Sequence, residues 1–263
     1  VTQTALQVVE RHRVEQLSIR ARFVRELLRL WPLINVGDLD RSALAWIEAV
    51  ADLILLFRKE SASRALRYYS TVRLVETGEA LPDIDLYENF GLGDPNRIRT
   101  SLLVTGPVAF KQRIARGIPE QQAWDLSQAD VAGAASRHVL NGGREMVMDA
   151  AKKDEVALRF ARVTGDDPCA FCAMLASRGP EYLSEFSATT AKAGSARAGQ
   201  SFHDRCQCTI LPLFDENPAN GWTDRSLQFS KLWADSTKGW SGTNALNAFR
   251  RALDAGKREN TSK

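Results

Sequence analysis

The chain is short of the residues that do chemistry. Its 263 residues include four cysteines, three histidines and three methionines. No cysteine precedes Cys169 or follows Cys208, and the histidines are His12, His138 and His203. So few imidazoles leave little for general acid–base catalysis to draw on. There is no His-Glu-x-x-His pair, no Gly-x-Ser-x-Gly elbow and no phosphate-cradling glycine loop, which removes the commonest zinc-protease, serine-hydrolase and nucleotide-binding signatures. Ser136 and His138 lie two apart on a predicted helix, about 200° around its axis from each other, and so cannot form a nucleophile–base pair.

Other absences narrow the class further. No apolar run approaches the roughly 18 residues that cross a bilayer; the longest, Ala49 to Phe57, is broken by Asp52. Neither charge sign dominates: 35 basic residues face 32 acidic ones for a net charge of +3, far from the field of a dedicated nucleic-acid binder. The opening residues, Val1 to Leu6, lack the basic and apolar regions of a secretory signal, so folding in a reducing cytoplasm is expected, where clustered thiols favour metal over disulfide.

What is present reads as a soluble globular chain, 44% hydrophobic and 25% charged. Leu6, Val9, Leu17, Val24, Leu27 and Leu28 recur near helical spacing up to Pro32. Leu44, Ile47, Ala51, Ile54 and Leu55 begin a second helix that ends by Gly78. After a turn-rich connector from Pro82 to Pro95, a short helix is expected over Pro107 to Arg116. A long one follows from Pro119, kinked or split at Gly142-Gly143. At Glu155 the pattern changes. Val156, Leu158 and Phe160 alternate as in a strand; Asp167 and Pro168 suit the cap and first position of a short helix; Cys206 to Phe214 reads as a second strand interrupted at Pro212. The fold class is therefore α+β: a mainly helical region over 1–154, a small β-hairpin/helix subdomain over 155–215, and a C-terminal extension over 216–263. That extension carries an amphipathic helix around Leu246, Phe249 and Leu253 and a frayed tail from Lys257. The loop over 179–202, rich in small polar residues, is expected to be mobile.

The cysteines form two close pairs, Cys169-x2-Cys172 and Cys206-x-Cys208, with His203 just ahead of the second. Two pairs of soft ligands separated by a loop suit a tetrahedral zinc ion. Five candidates, Cys169, Cys172, His203, Cys206 and Cys208, compete for four positions. The leading reading is a structural zinc that substitutes for core in a small subdomain. A redox Cys-x2-Cys at a helix start and plain thiol packing or disulfide pairing are the alternatives. A zinc-dependent nucleic-acid-binding module is also open, although the nearby Arg178, Lys192, Arg197 and Arg205 are balanced by acidic neighbours.

The half-motifs Asp167-Pro168-Cys169-Ala170-Phe171-Cys172 and Phe202-His203-Asp204-Arg205-Cys206-Gln207-Cys208, followed by an apolar strand, resemble the head-morphogenesis domain of tailed bacteriophages, the MuF-like minor head proteins. Ala170, Asp204 and Gln207 replace a Pro, a second Pro and an Arg of that family's pattern and leave the ligand positions intact. The resemblance covers about Val156 to Phe214; Thr105-Gly106-Pro107 and Val139 to Gly143 resemble phrases of actinobacteriophage head proteins. It implies a role in procapsid assembly and DNA packaging near the portal, in the interior of the phage head, after synthesis in the host bacterial cytoplasm. The implied partners are the portal protein, the scaffold and major capsid protein, and phage DNA non-specifically, with no membrane. Some members of the family are called capsid maturation protease, which makes processing of scaffold or coat protein the runner-up.

Overall fold

The structure, a computed structural model, describes residues 2–86, 93–182, 204 and 206–261. Helix α1 (Gln3–Leu30) opens on Thr2, whose side chain accepts the Ala5 N–H at 3.1 Å. It turns Ala5, Val9, Ile19, Phe23 and Leu27 inward and gives way to a 3-10 turn at Trp31–Leu33, with Pro32 inside it. Helix α2 (Leu39–Thr77) runs 39 residues and stops at Gly78, whose φ of 76° supplies the left-handed cap. Both helices match the sequence periodicity, although Leu28 and Leu44 prove exposed.

The next helical run begins well before the expected Pro107. Helix α3 (Pro95–Leu103) has Pro95 at its first position and the Asp94 carboxylate accepting from the Asn96 and Arg97 N–H groups. It passes through a π-helical stretch, Val104–Val108, into α4 (Ala109–Ala115). Pro107 lies inside that stretch. A proline that cannot donate its i→i−4 bond is accommodated where the helix widens, so it marks a bulge and not a start.

Helix α5 (Glu120–Asp154) is continuous, so Gly142 and Gly143 do not split it. They are there for close approach. A Cβ on Gly142 would sit 2.4 Å from the Arg58 carbonyl oxygen, and one on Gly143 would sit 2.8 Å from Ser61 Oγ, which accepts the Gly143 N–H at 3.0 Å. The ends of the same two helices are tied by a buried ion pair, Arg73 Nε to Asp154 Oδ2 at 2.9 Å, joined by the Tyr69 hydroxyl at 2.8 Å.

Strands β1 (Arg159–Val163) and β2 (Thr209–Leu213) pair antiparallel, Arg159 opposite Leu213 and Val163 opposite Thr209. The first strand starts later than the alternation from Val156 suggests, because α5 extends to Asp154 and closes on Glu155 at φ 60°. Val156 and Leu158 are left exposed. Pro212 does not interrupt β2. Its partner Phe160 turns its N–H away to Tyr182 O at 2.8 Å, so that pair loses no ladder bond to the proline. Helix α6 (Ala170–Ala176) lies between the strands in sequence. Helices α7 (Asp224–Ser236) and α8 (Gly242–Thr261) pack together through Trp233 and Phe249, whose ring centroids are 5.2 Å apart. The expected frayed tail from Lys257 begins within α8, where Lys257 Nζ reaches Pro168 O at 2.9 Å.

Two cores result. One is purely helical, centred on Trp46 and Trp31 with Phe23, Ile54 and Val139. The other joins the second halves of α2 and α5 to the sheet, α6 and α8 through Tyr68, Tyr69, Val147, Phe171, Leu175, Leu211 and Phe249. The second core draws on residues from both sides of position 154.

The glycine contacts predict opposite outcomes for one substitution. Gly142→Ala should destabilise by about 1–3 kcal/mol through overpacking against α2. Gly256→Ala, on α8 with nothing among the described residues within 4 Å of the added atom, should stabilise by up to about 1 kcal/mol through helix propensity. Urea midpoints of the two variants decide it; equal shifts would contradict the close packing.

Candidate metal centre

Several elements converge on the cysteines. Cys169 is the N-cap of α6, two positions beyond the expected Asp167; its Sγ accepts the Cys172 N–H at 3.4 Å. Asp167 and Pro168 are gripped instead by Lys257 from α8. Cys172 points from the first turn of α6 into the core. Cys206 and Cys208, in the extended segment leading into β2, face it. The thiols of Cys172, Cys206 and Cys208 all lie within 4.8 Å of one another, and the first two are 3.6 Å apart. All three are buried; Cys169 is half-buried beside them and hydrogen-bonds with the Cys172 side chain. Of the five candidates the structure thus brings together three, with Cys169 adjoining. His203 lies outside the described residues, as do Arg205, Lys192, Arg197 and most of the loop expected over 179–202. The start of that loop is packed: Tyr182 is buried, bridges to Phe160 and donates its hydroxyl to Leu175 O.

Two arginines complete the site. Arg162, from β1, places Nη2 at 3.6 Å from Cys172 Sγ and 3.5 Å from Cys206 Sγ. Arg144, from α5, donates Nη2 to Cys206 O at 2.8 Å and to Cys208 O at 3.3 Å, fixing the backbone of the Cys-x-Cys segment. Asp204, just upstream, is held by Arg137 of α5 at 2.7 Å, and the Tyr68 hydroxyl of α2 donates to Ile210 O at 3.1 Å. The electrostatics single out Cys206. Hydrogen bonds with Cys172 and Cys208, together with the two guanidinium groups, hold its thiol well below the usual cysteine value against the cost of burial. Burial opposes the charge on Arg162, but the sulfurs of Cys208, Cys206 and Cys172 outweigh it and keep its pKa raised. Chemically, this is a group of buried soft donors with two cations at hand.

Sequence reasoning missed both arginines. The signal was there for Arg144: it falls on the apolar stripe of α5 with Leu140, Val147 and Ala151, where a solvated arginine has no place. Arg162 sits between Ala161 and Val163 in a strand with both faces covered. His12 is not a surface residue. It is 4% exposed and stacks on Tyr68 with ring centroids 4.2 Å apart. Among the described residues Ser136 Oγ and His138 Nε2 are each buried without a hydrogen-bond partner, so they are not bonded to each other.

Residues 3–228 match the family model described as VG15 protein. The chain belongs to the VG15 protein family. Two phage proteins are similar to it. The Gene 15 protein of Mycobacterium phage D29 is 33% identical over 168 residues, covering 54% of this chain and 60% of that protein. The Gene 15 protein of Mycobacterium phage L5 is 28% identical over 185 residues, covering 50% of this chain and 63% of that protein. The aligned part thus spans about three fifths of the length of these relatives. No solved structure matches the chain. It is a phage protein, and no described helix is long and apolar enough to cross a membrane.

The buried imidazoles give a pH dependence. Burial lowers the pKa of His12 to about 3, with Arg144 adding to the effect. Burial, then Arg137, Arg58 and Arg97, do the same for His138, again to about 3. In the unfolded chain both protonate near the ordinary value of about 6.5, so between these values the unfolded state binds more protons. Stability is then fully present above pH ~6.5 and falls as pH drops toward 3, by up to about 1.4 kcal/mol per pH unit for each histidine. Urea unfolding between pH 7 and 5 should show this fall, and His138→Gln should remove about half of the slope. An unchanged slope in the variant would contradict the assignment.

Proposed function

We propose that the chain is a MuF-like minor head protein that acts in procapsid assembly and DNA packaging near the portal, and that its buried cysteines hold one structural zinc. The observation that carries the reading is the convergence of the two half-motifs. Cys172 and Cys206, 34 residues apart in sequence, bring their sulfurs to 3.6 Å in a chain of a phage family. Tetrahedral zinc with bonds of about 2.3 Å to sulfur needs its ligands roughly 3.8 Å apart; Cys172 and Cys206 are at 3.6 Å, and Cys208 lies within 4.8 Å of both. A two-stranded sheet is marginal by itself in water, and bound zinc would supply a cross-link worth much of a small domain's folding free energy. The protein's own residues do the rest. Arg144 and Tyr68 hold the segment bearing Cys206 and Cys208, and α6 presents Cys172 to it.

In this reading the protein works inside the phage head, after synthesis in the host cytoplasm, against the portal protein, the scaffold and the major capsid protein, with non-specific contact to phage DNA. The knuckle is the part that docks, and the long helices carry it. Co-expression of the full chain with portal, scaffold and coat proteins tests this. The wild-type chain should sediment with portal-bearing procapsids and carry one zinc per chain. Cys172→Ser should lose the zinc, become protease-sensitive around residues 156–214 and fall at least about tenfold in incorporation, in line with the coupling of metal binding to folding. Absence of the wild-type chain from heads would overturn the assembly role; metal-free wild-type protein would overturn the zinc.

A further inference from the structure

A cavity of about 430 Å³ opens between α2, the start of α3 and α5, and none of the four cysteines lines it. Along α5 its wall is Arg137, Asn141, Glu145 and Asp149, four residues apart each time and therefore one stripe of the helix. Arg58 from α2 and Arg97 from the first turn of α3 close other sides. Ile98 is the one purely apolar side chain among the described lining residues. A space of this size suits a small molecule, and so polar a lining suits one with few apolar atoms. Two buried side chains in the lining also have polar atoms left over. His138 is 5% exposed and Arg58 is 2% exposed; among the described residues neither His138 Nε2 nor Arg58 Nε has a hydrogen-bond partner. Buried polar atoms in that condition are rare and call for a partner.

The charges around His138 say what that partner is. The rest of the Arg58 guanidinium is committed, Nη1 to His138 O at 2.7 Å and Nη2 to the Glu145 carboxylate. Arg137 is half-buried, with Nε on Asp204 Oδ1 at 2.7 Å. Arg97 is exposed and makes no side-chain hydrogen bond or ion pair among the described residues. All three guanidinium groups act on the His138 ring, with Asp94 opposing them, and burial keeps that ring neutral. The Asp94 carboxylate already accepts the Asn96 and Arg97 N–H groups. One end of the cavity is thus basic, while carboxylates line it about 12 Å further along α5, at Glu145 and then Asp149. A polyanion would have to run its next charges past those carboxylates; a single phosphate need meet only the guanidinium groups, whose planar donors match its oxygens. Hydroxyls on the same molecule would donate to the carboxylates, and a hydroxyl serves His138 Nε2 in either tautomer because it both donates and accepts. We propose that this cavity binds a small phosphorylated polyol, of the sugar-phosphate or mononucleotide class, with its phosphate on Arg97 and Arg137 and its hydroxyls toward Glu145 and Asp149.

The test is calorimetric titration of the purified full chain at low salt with ribose 5-phosphate, adenosine 5′-monophosphate, inorganic phosphate, ribose, glutamate and a short single-stranded DNA. One of the two phosphate esters should bind at least about tenfold more tightly than inorganic phosphate, the worth of one or two added hydrogen bonds. Ribose and glutamate should bind far more weakly than either ester. Whichever ester binds more tightly supports the site and says whether it takes the plain sugar phosphate or the base-bearing molecule. Arg97→Gln, at an exposed position that leaves the fold alone, should weaken the ester by about tenfold or more, as loss of a charged hydrogen bond does. Asp149→Asn should weaken the ester and leave inorganic phosphate unchanged. No binding of either ester, or wild-type affinity in Arg97→Gln, would overturn the site. Glutamate binding as tightly as the esters would overturn the phosphate class, and tighter binding of the DNA would overturn the small-molecule reading in favour of a nucleic-acid groove. None of these readouts depends on the metal, so the site and the zinc centre can fail separately.

Discussion

The close packing of α5 on α2 is the contact from which the rest of the molecule hangs. Gly142 and Gly143 let the two backbones approach until a methyl group would collide with Arg58 and Ser61. At that separation Arg144, the next residue along, projects past α2 onto the carbonyls of Cys206 and Cys208, while Tyr68 from α2 reaches Ile210. The chain that forms β2 is therefore laid down on a surface made by both helices at once. A wider helix pair would leave the Cys-x-Cys segment without its two anchors, and the thiols would have no reason to meet.

The second half of the molecule depends on this platform because it is too small to stand alone. Two five-residue strands and the seven residues of α6 offer little apolar surface of their own. They acquire a core by sharing Tyr68, Tyr69 and Val147 with the long helices, and a further tie where Lys257 and Arg225 hold the turn before α6. Polar clamps of this kind fix direction more than they add stability. The buried thiols and arginines sit where all these elements meet, which is where a metal cross-link would join the most chain.

Much of this was legible in the sequence, and the failures have physical causes. The long helices followed from apolar periodicity, and the metal candidates from the confinement of every cysteine to one window. The Gly142-Gly143 pair looked like a break because glycine is a poor helix former, yet its tertiary role is to be small. Pro107 looked like a helix start because proline favours first turns; the π-helical stretch that absorbs it is a local distortion no periodicity reveals. Nothing in the sequence marks His12 as buried, because a lone histidine on an amphipathic helix gives no sign of the Tyr68 ring it stacks on. Arg144 and Arg162 were passed over because arginine is ordinarily a surface residue; only the fold shows that their charge faces sulfur.

Membership of the VG15 protein family places the chain among phage proteins, and the central physical claim is that a metal held by the cysteines locks β2 onto the helical platform. Hydrogen exchange of the backbone amides, with and without a strong zinc chelator, tests it most directly. The account predicts that chelation speeds exchange at Cys172 and across 206–213 by orders of magnitude while the amides of α2 between Ile54 and Ala65 stay protected. Identical exchange in both conditions would contradict it.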